Sequence, residues 1–377
     1  MFWFSFSMFP IIFAHWIGQT IVFLHLFFMT LFFVLNRIQN KIFSFNLFII
    51  YPLSILILFF ILNFDKLLVS PSNLNIKYSF QYLSLFLLLI IFLFIPKIKQ
   101  IKINQIGKVI FWTSFLTIFI EFILVNFLGV SKAIFPTSRM ESITYYADVL
   151  GWHRPWGLTG QTSANGGILL LAYLFLYEMK FVSWKYNLTV FVGTLMTISG
   201  QAILTGVVIL FLIMLKNFKM SKPVKTLLLI FFSLTFYLFL QADLFQKVSL
   251  EYIFLIFLQQ LHIDTTLMIL SPFQWITGAL GDIQLMPYKS SEIQPIMFIH
   301  LWGVPLTLLF WFMIYMFVLN TDNPLLWFAS IFVSSLHYPT ILYIEAQLIV
   351  CLLLIYSLNK NYSKNDINSY RQFTNFS

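Results

Sequence analysis

Charge is the scarcest property of this 377-residue chain. Only 9% of its residues are charged and 60% are apolar, whereas a soluble domain has about 25% charged residues. This excludes an ordinary water-soluble fold, and long apolar runs separated by short polar turns fill the sequence instead. Such runs cross the hydrocarbon layer of a membrane only as helices, because helices satisfy their own backbone hydrogen bonds. The composition therefore predicts an all-α, polytopic integral membrane helix bundle.

Cysteine is nearly absent. Cys351 is the only one, which rules out a disulfide within the chain, a cysteine pair and a thiolate metal site. His262 and Asp264 are two residues apart without further ligands nearby, so the sequence predicts no metal site and no cofactor. The net charge of +9 does not indicate nucleic acid, because most lysines fall in the short loops between apolar runs.

The basic residues set the predicted orientation. Assigning the lysine-rich loops to the cytoplasm places 15 of the 22 basic residues inside and 7 outside, as the positive-inside rule requires. The path then has 11 or 12 transmembrane helices, depending on whether the first 36 residues form one helix or two around Gly18. It forms a single integral domain, 1–377, with extracytoplasmic loops at about 128–165 and 243–295 and a cytoplasmic tail at 359–377.

Several finer features follow from this path. Residues 65–77 are predicted to form a short outer loop. Residues 181–215 are predicted to form a helical hairpin with Ser199-Gly200-Gln201 at its outer tip, because basic loops flank both ends. Residues 337–339 are predicted to make a tight outer turn.

Two carboxylates, Glu121 and Glu345, fall inside predicted spans. A charged side chain is costly in the membrane and usually pairs with another polar group or faces a cavity. Structural hydrogen bonding is the favoured interpretation, and a proton or cation path of a transporter is the alternative. Because a carboxyl that only hydrogen-bonds is close in shape to an amide, Glu121→Gln is expected to leave function largely intact.

The segment 138–167 is the strongest candidate for a functional site. It holds two of the four arginines of the chain, Arg139 and Arg154. Arg154 begins the string Arg-Pro-Trp-Gly-Leu-Thr-Gly, which places a planar cation on an irregular backbone that can approach an anionic diphosphate or sugar acid closely. The alternative is an arginine that extends to lipid headgroups beside an interfacial tryptophan.

The second loop and the helix after it carry further candidates. Glu292 precedes an apolar run, where it could deprotonate a sugar hydroxyl or simply be an acidic residue favoured at a helix N-terminus. His300 lies two turns into the same helix, as a second candidate base or as a packing residue. Glycines recur on both sides, in Gly278-Ala279-Leu280-Gly281-Asp282 and in His300-Leu301-Trp302-Gly303-Val304-Pro305.

The order of these features resembles the O-antigen polymerase and O-antigen ligase superfamily, which are integral glycosyltransferases. The Arg-x-x-Gly-x-x-Gly pattern from Arg154 to Gly160, the hairpin with a polar tip and the longer loop with a glycine turn are similar to features of that family. The family often has an arginine at the hairpin tip, which this chain lacks and Arg139 could replace. Its ligases usually have a histidine where this chain has Glu292, which favours a polymerase.

The resemblance implies an envelope polysaccharide polymerase of the bacterial inner membrane that acts on O-antigen, capsule or exopolysaccharide. It would join polyprenyl-diphosphate-linked repeat units on the extracytoplasmic face without a metal. The implied diphosphate-binding residues are Arg139, Arg154, Gly157 and Gly160, and the implied catalytic residues are Glu292 and His300. The implied partners are polyprenyl-diphosphate-linked oligosaccharides, membrane lipids, a flippase and a chain-length regulator, with no nucleic acid. An O-antigen ligase that uses a lipid core as acceptor and a polysaccharide-unit flippase or transporter stay open as alternatives.

Overall fold

The computed structural model describes residues 8–39, 50–69, 73–94, 103–135, 148–149, 151–217, 226, 230, 272–278, 294–319, 321–336 and 340–357. These residues are mostly helical, as predicted. The helices are α1 (Phe9–Ile12), α2 (Ala14–Ile17), α3 (Gln19–Gln39), α4 (Ile50–Val69), α5 (Asn73–Phe94), α6 (Ile103–Asn126), α7 (Thr162–Glu178), α8 (Trp184–Met196), α9 (Gly200–Asn217), α10 (Pro272–Thr277), α11 (Gln294–Leu319), α12 (Pro324–Ser335) and α13 (Ile344–Ser357). Two 3₁₀ turns, Lys132–Ile134 and Thr340–Leu342, and two short strands, β1 (Asp148–Val149) and β2 (Trp152–His153), complete the described elements.

Helix α7 lies at the centre of the bundle. It packs against α6, α8, α9 and α12, and every residue from Thr162 to Leu176 is buried. A helix that is apolar on all sides is stable only when other helices surround it. Two glycines of α7 leave room for neighbouring segments to pack closely. A Cβ at Gly166 would overlap Ala202 of α9, and a Cβ at Gly167 would overlap Thr340. Such small-residue contacts let helix backbones approach each other.

The outward faces of the helices are apolar. On α3 and α4, large side chains such as Phe28, Phe32, Ile57 and Ile61 are exposed. A water-soluble monomer rarely exposes apolar patches of this extent. Two of the described helices, Ile103–Asn126 and Leu301–Leu319, are long and apolar enough to cross a membrane, and several shorter helices are also apolar. The surface is thus compatible with an all-α membrane protein.

The hairpin predicted at 181–215 is confirmed. Helices α8 and α9 are joined by a turn at 197–199, which overlaps the predicted tip at Ser199, whereas Gly200 and Gln201 already belong to α9. The helix is also interrupted at Gly18, with φ +119° between α2 and α3, but α1 and α2 have only four residues each. The predicted outer loop at 65–77 is wrong in extent, because α4 continues to Val69 and α5 begins at Asn73. The turn predicted at 337–339 lies outside the described residues.

Lysines near the C-terminal ends of α7 and α9 lie at the same end of the bundle. Lys108 on α6 lies 4.7 Å from the ring centroid of Phe181, just after α7. Lys216, near the end of α9, donates a hydrogen bond to Asn323. Asn323 in turn donates to the buried carboxylate of Glu178 over 2.6 Å. This gathering of lysines agrees with the assignment of these turns to one side.

Helix α11 is broken at Gly303. Its backbone adopts φ 78° and ψ 169°, a conformation that is open mainly to glycine, and Pro305 follows. The break lies against the end of α10, since a Cβ at Gly303 would lie 2.9 Å from the backbone nitrogen of Gly278. Gly278 and Gly303, one from each glycine motif, therefore meet in space.

Candidate functional site

The Arg-Pro-Trp-Gly string is attached to α6 by Glu121, which is buried. One carboxylate oxygen, Oε1, accepts the backbone N–H of Trp156 at 2.9 Å and lies 2.8 Å from Nε2 of His153. The other oxygen, Oε2, accepts the N–H of Gly157 at 2.8 Å. A carboxylate is the side chain that can accept on both oxygens at once. A single residue of α6 thus fixes three residues of the loop.

Asn126 holds the same loop one turn further along α6. Its Oδ1 accepts the backbone N–H of His153 at 2.7 Å, and its Nδ2 donates to the carbonyl of His153 at 3.1 Å. His153 also belongs to β2, which pairs antiparallel with β1. Arg154 therefore stands on a backbone that is fixed immediately before it by Asn126 and shortly after it by Glu121.

Asn165, in the first turns of α7, holds the loop from the opposite side. Its Oδ1 accepts the backbone N–H of Thr159 at 3.1 Å and the hydroxyl of Thr159 at 3.0 Å, and its Nδ2 donates to the carbonyl of Trp156. A Cβ at Gly157, whose φ is +55°, would lie 2.6 Å from Nδ2 of Asn165. Because residue 157 is a glycine, the side chain of Asn165 can occupy the space that a Cβ would fill.

The residues singled out from the sequence fall into two groups. Arg154 is half-buried, and Gly157 and Gly160 are buried with φ of +55° and +75°. The structure brings these three together in one loop. Arg139 and Glu292 lie outside the described residues. His300 is part of α11, and its side chain is likewise outside the description, so the predicted roles of these three residues stay predictions.

A second buried pair of a carboxylate and a histidine lies close to this loop. Nδ1 of His15 on α2 lies 3.3 Å from Oε1 of Glu345 on α13, and both side chains are buried. The ring of Tyr343 lies 5.2 Å from the ring of His15. The next residue, Trp16, donates its indole N–H to the carbonyl of Gly157 at 3.3 Å. The N-terminal helices thus connect this pair to the arginine loop.

The hairpin tip, the end of α12 and the 3₁₀ turn Thr340–Leu342 reach the same end of the bundle. Ser199 donates to Ser163, in the first turn of α7, over 2.9 Å. Gln201 donates to the carbonyl of Ser334, and Thr340 donates to the same carbonyl at 2.7 Å. The arginine loop, the hairpin tip and the 3₁₀ turn therefore surround the first turns of α7.

Sequence reasoning identified the arginine loop but missed the residues that hold it. His153 and Asn165 lie within the candidate segment 138–167 but were given no role there, and His15 and Trp16 were not recognised as parts of the site. One signal was available: each carboxylate inside an apolar run needs a partner, and the chain has only six histidines. The predicted structural hydrogen bonding of Glu121 is confirmed, and its partners are in the loop rather than in another helix.

The site contains buried carboxylates and imidazoles and the half-buried Arg154 on an anchored backbone. Within the described ranges, no group of three or more His, Cys, Asp and Glu residues could hold a metal ion. Comparisons with protein-family models, with curated proteins and with solved structures give no match for this chain.

Proposed function

We propose that this chain is a multi-pass membrane glycosyltransferase that polymerises polyprenyl-diphosphate-linked repeat units of an envelope polysaccharide. The observation that carries the proposal is the position of Arg154 on a loop fixed from both sides. Asn126 and Glu121 hold the loop to α6, and Asn165 holds it to α7. An arginine that only reached toward lipid headgroups would need no such support.

Fixed cations suit the chemistry of diphosphate departure. When a glycosidic bond forms from a sugar diphosphate, negative charge develops on the leaving diphosphate. A guanidinium held in advance stabilises that charge without reorganising during the reaction, and its planar fork matches two phosphate oxygens. In the proposal, Arg154 binds the diphosphate and Arg139 contributes a second cation. Glu292 or His300 is the sequence-based candidate that activates the acceptor hydroxyl.

The remaining parts of the proposal concern the membrane. The apolar outward faces, represented by Phe28, Ile57 and Leu308, support burial of the bundle in lipid with 11 or 12 crossings in a bacterial inner membrane. The lysines at the end opposite the arginine loop support an extracytoplasmic position for the loop. A lipid-linked substrate could then lie in the outer leaflet with its diphosphate at loop height.

Two alternative functions are compatible with the same fold. A ligase would pass the glycan to a lipid core instead of another repeat unit. A flippase or transporter is favoured by one observation, the presence of two buried carboxylate–histidine pairs, Glu121–His153 and Glu345–His15, which could exchange protons during transport.

Reconstitution separates these functions. The purified full chain is placed in vesicles together with lipid-linked repeat units extracted from host cells that lack it. We expect chains of several repeats and the release of one polyprenyl diphosphate for each glycosidic bond that forms. Product that forms only after a lipid core is added would indicate a ligase. Movement of the substrate across the vesicle without any new glycosidic bond would overturn the enzyme proposal in favour of transport.

A further inference from the structure

The N-terminus of α7 is buried and is not capped by a side chain. Thr162, Ser163 and Ala164 begin the helix, and their exposed fractions are only 6%, 5% and 0%. Gln161 occupies the N-cap position, but its side chain makes no capping hydrogen bond. The first turn also contains no acidic residue. The positive end of a 17-residue helix dipole therefore lies inside the protein without a carboxylate of its own turn to balance it.

Three backbone N–H groups at this end have no acceptor in the part of the chain that the structure describes. The first N–H groups of any α-helix lack a partner within the helix. Here the N–H of Asn165 donates to the carbonyl of Gln161 at 3.0 Å, but no carbonyl or side chain accepts from Thr162, Ser163 or Ala164. Buried N–H groups without an acceptor are rare, because leaving them unbonded is costly. Their acceptor is therefore water or a ligand.

The side chain of Thr162 adds a fourth donor. The polar side chains beside it are occupied, since Ser163 accepts a hydrogen bond from Ser199 and Asn165 accepts one from Thr159. The hydroxyl of Thr162 makes no hydrogen bond with any described residue, although the residue is only 6% exposed. Because side chains of a helix lean toward its N-terminus, this hydroxyl points to the same end as the three N–H groups. Four donors at one helix end suit an acceptor-rich anion such as a phosphate.

We propose that the N-terminus of α7 binds one phosphate group of the lipid diphosphate. This inference rests on the proposed function. The loop that carries Arg154 leads directly into α7 and is bonded to it by Asn165, so the guanidinium and the helix end belong to one anchored unit. The phosphate oxygens accept the N–H groups of residues 162–164 and the hydroxyl of Thr162, and the helix dipole stabilises their negative charge. A membrane phospholipid has the same phosphate chemistry, and the experiment compares the two sources.

The test is the affinity of the purified full chain, in a neutral detergent, for polyprenyl diphosphate that carries no glycan. Gln161→Asp places a carboxylate at the N-cap, where it can accept N–H groups of the first turn. We expect this variant to raise the thermal midpoint and to weaken binding by about tenfold or more, because the carboxylate occupies the donors and repels the phosphate. Ser183→Asp is the matched control at the N-cap of α8, which also lacks a side-chain cap. It should leave the affinity unchanged.

Thr162→Val removes the hydroxyl donor without adding charge, and it decides the question if Gln161→Asp does not fold. It should weaken binding by about threefold to tenfold. Wild-type affinity in a folded Gln161→Asp protein, or in Thr162→Val, would overturn the inference, and loss of polymer in Arg154→Lys would then leave the proposed function standing.

Competition identifies the source of the phosphate. Inorganic diphosphate should displace polyprenyl diphosphate, whereas phosphatidylglycerol, an anionic phospholipid, should not. If phosphatidylglycerol competes at equal concentration, the end of α7 is a phospholipid headgroup site and the substrate assignment fails. Wild-type protein that binds polyprenyl diphosphate but forms no glycosidic bond in the reconstituted system would remove the proposed function and keep this site.

Discussion

The backbones of Gly278 and Gly303 lie in direct contact. A side chain at Gly303 would overlap the carbonyl of Ile276, and a side chain at Gly278 would overlap the carbonyl of Leu301. Both glycines have positive φ, +72° and +78°. The end of α10 therefore lies in the break of α11, and neither residue can carry a Cβ without moving backbone atoms. This contact positions the first half of α11, which includes His300.

Gly303→Ala is expected to reduce the amount of folded protein sharply. A positive φ combined with a ψ near 180° is nearly restricted to glycine and costs an L-residue about 1–3 kcal/mol, and the overlap with backbone adds to that cost. The measurement is the thermal midpoint of the detergent-solubilised protein by gel filtration. Gly206→Ala on α9 is the control, because its nearest neighbour would lie at 3.5 Å and alanine suits a helix better than glycine. Equal midpoints for the two variants would contradict the close contact at Gly303.

Glu121→Gln is expected to loosen the arginine loop, contrary to the sequence-based expectation that an amide serves as well. The two carboxylate oxygens accept backbone N–H groups from Trp156 and Gly157, whereas an amide offers one acceptor and turns its NH₂ toward the other donor. A buried donor facing a donor costs about 1–3 kcal/mol. The loss should be measured as a lower thermal midpoint and as faster proteolysis within residues 127–160.

The matched variant for that measurement is Glu345→Gln. Its Oε2 has no hydrogen-bond partner among the described residues, so the amide NH₂ can occupy that position without opposing a donor. We expect its thermal midpoint to stay near that of the wild type. A Glu121→Gln protein as stable as Glu345→Gln would show that the carboxylate does not hold the loop.

Gly157→Ala should be more destabilising than Gly151→Ala. Both glycines have positive φ, but a Cβ at Gly157 would lie 2.6 Å from Asn165, while Gly151 has open space around it. The backbone strain is thus similar in both variants, and the difference between them measures the clash, which we expect to be about 1–3 kcal/mol. Unfolding midpoints of the two purified variants give this difference. Equal destabilisation would mean that Asn165 does not fill the site of the missing side chain.

The sequence predicted what depends on local pattern. Apolar runs gave the helices, and flanking lysines gave the α8–α9 hairpin with its tip at Ser199. It did not reveal contacts made across long separations. The partner of Glu121, His153, lies 32 residues further on, and the contact between Gly278 and Gly303 depends on a break in α11 that hydropathy does not register. Periodicity reports which face is buried, but not which polar group lies opposite it.

Cysteine labelling tests the orientation of the arginine loop. In a Cys351→Ala background, Leu128→Cys and Trp184→Cys supply two exposed positions, with 66% and 68% of each native side chain accessible. Leu128 follows the C-terminal end of α6, and Trp184 follows the C-terminal end of α7, so the two positions lie at opposite ends of the bundle. We expect a membrane-impermeant maleimide to label Leu128→Cys in intact spheroplasts and Trp184→Cys only after lysis, because the lysine-rich turns stay inside. The reverse order would place the loop in the cytoplasm.

The most direct measurement of the central claim is the chain-length distribution made by Arg154→Lys. Lysine keeps the positive charge and still suits a lipid headgroup, but it cannot form the two parallel hydrogen bonds of a guanidinium to a diphosphate. Losing such an interaction with a developing charge should cost about 2 to 4 kcal/mol, or roughly a hundredfold or more in turnover. We expect single repeat units in place of long chains, with unchanged membrane insertion, while Lys132→Ala in the same loop gives wild-type polymer. Full-length polymer from Arg154→Lys would contradict the account and leave attachment to lipid headgroups as the role of this arginine.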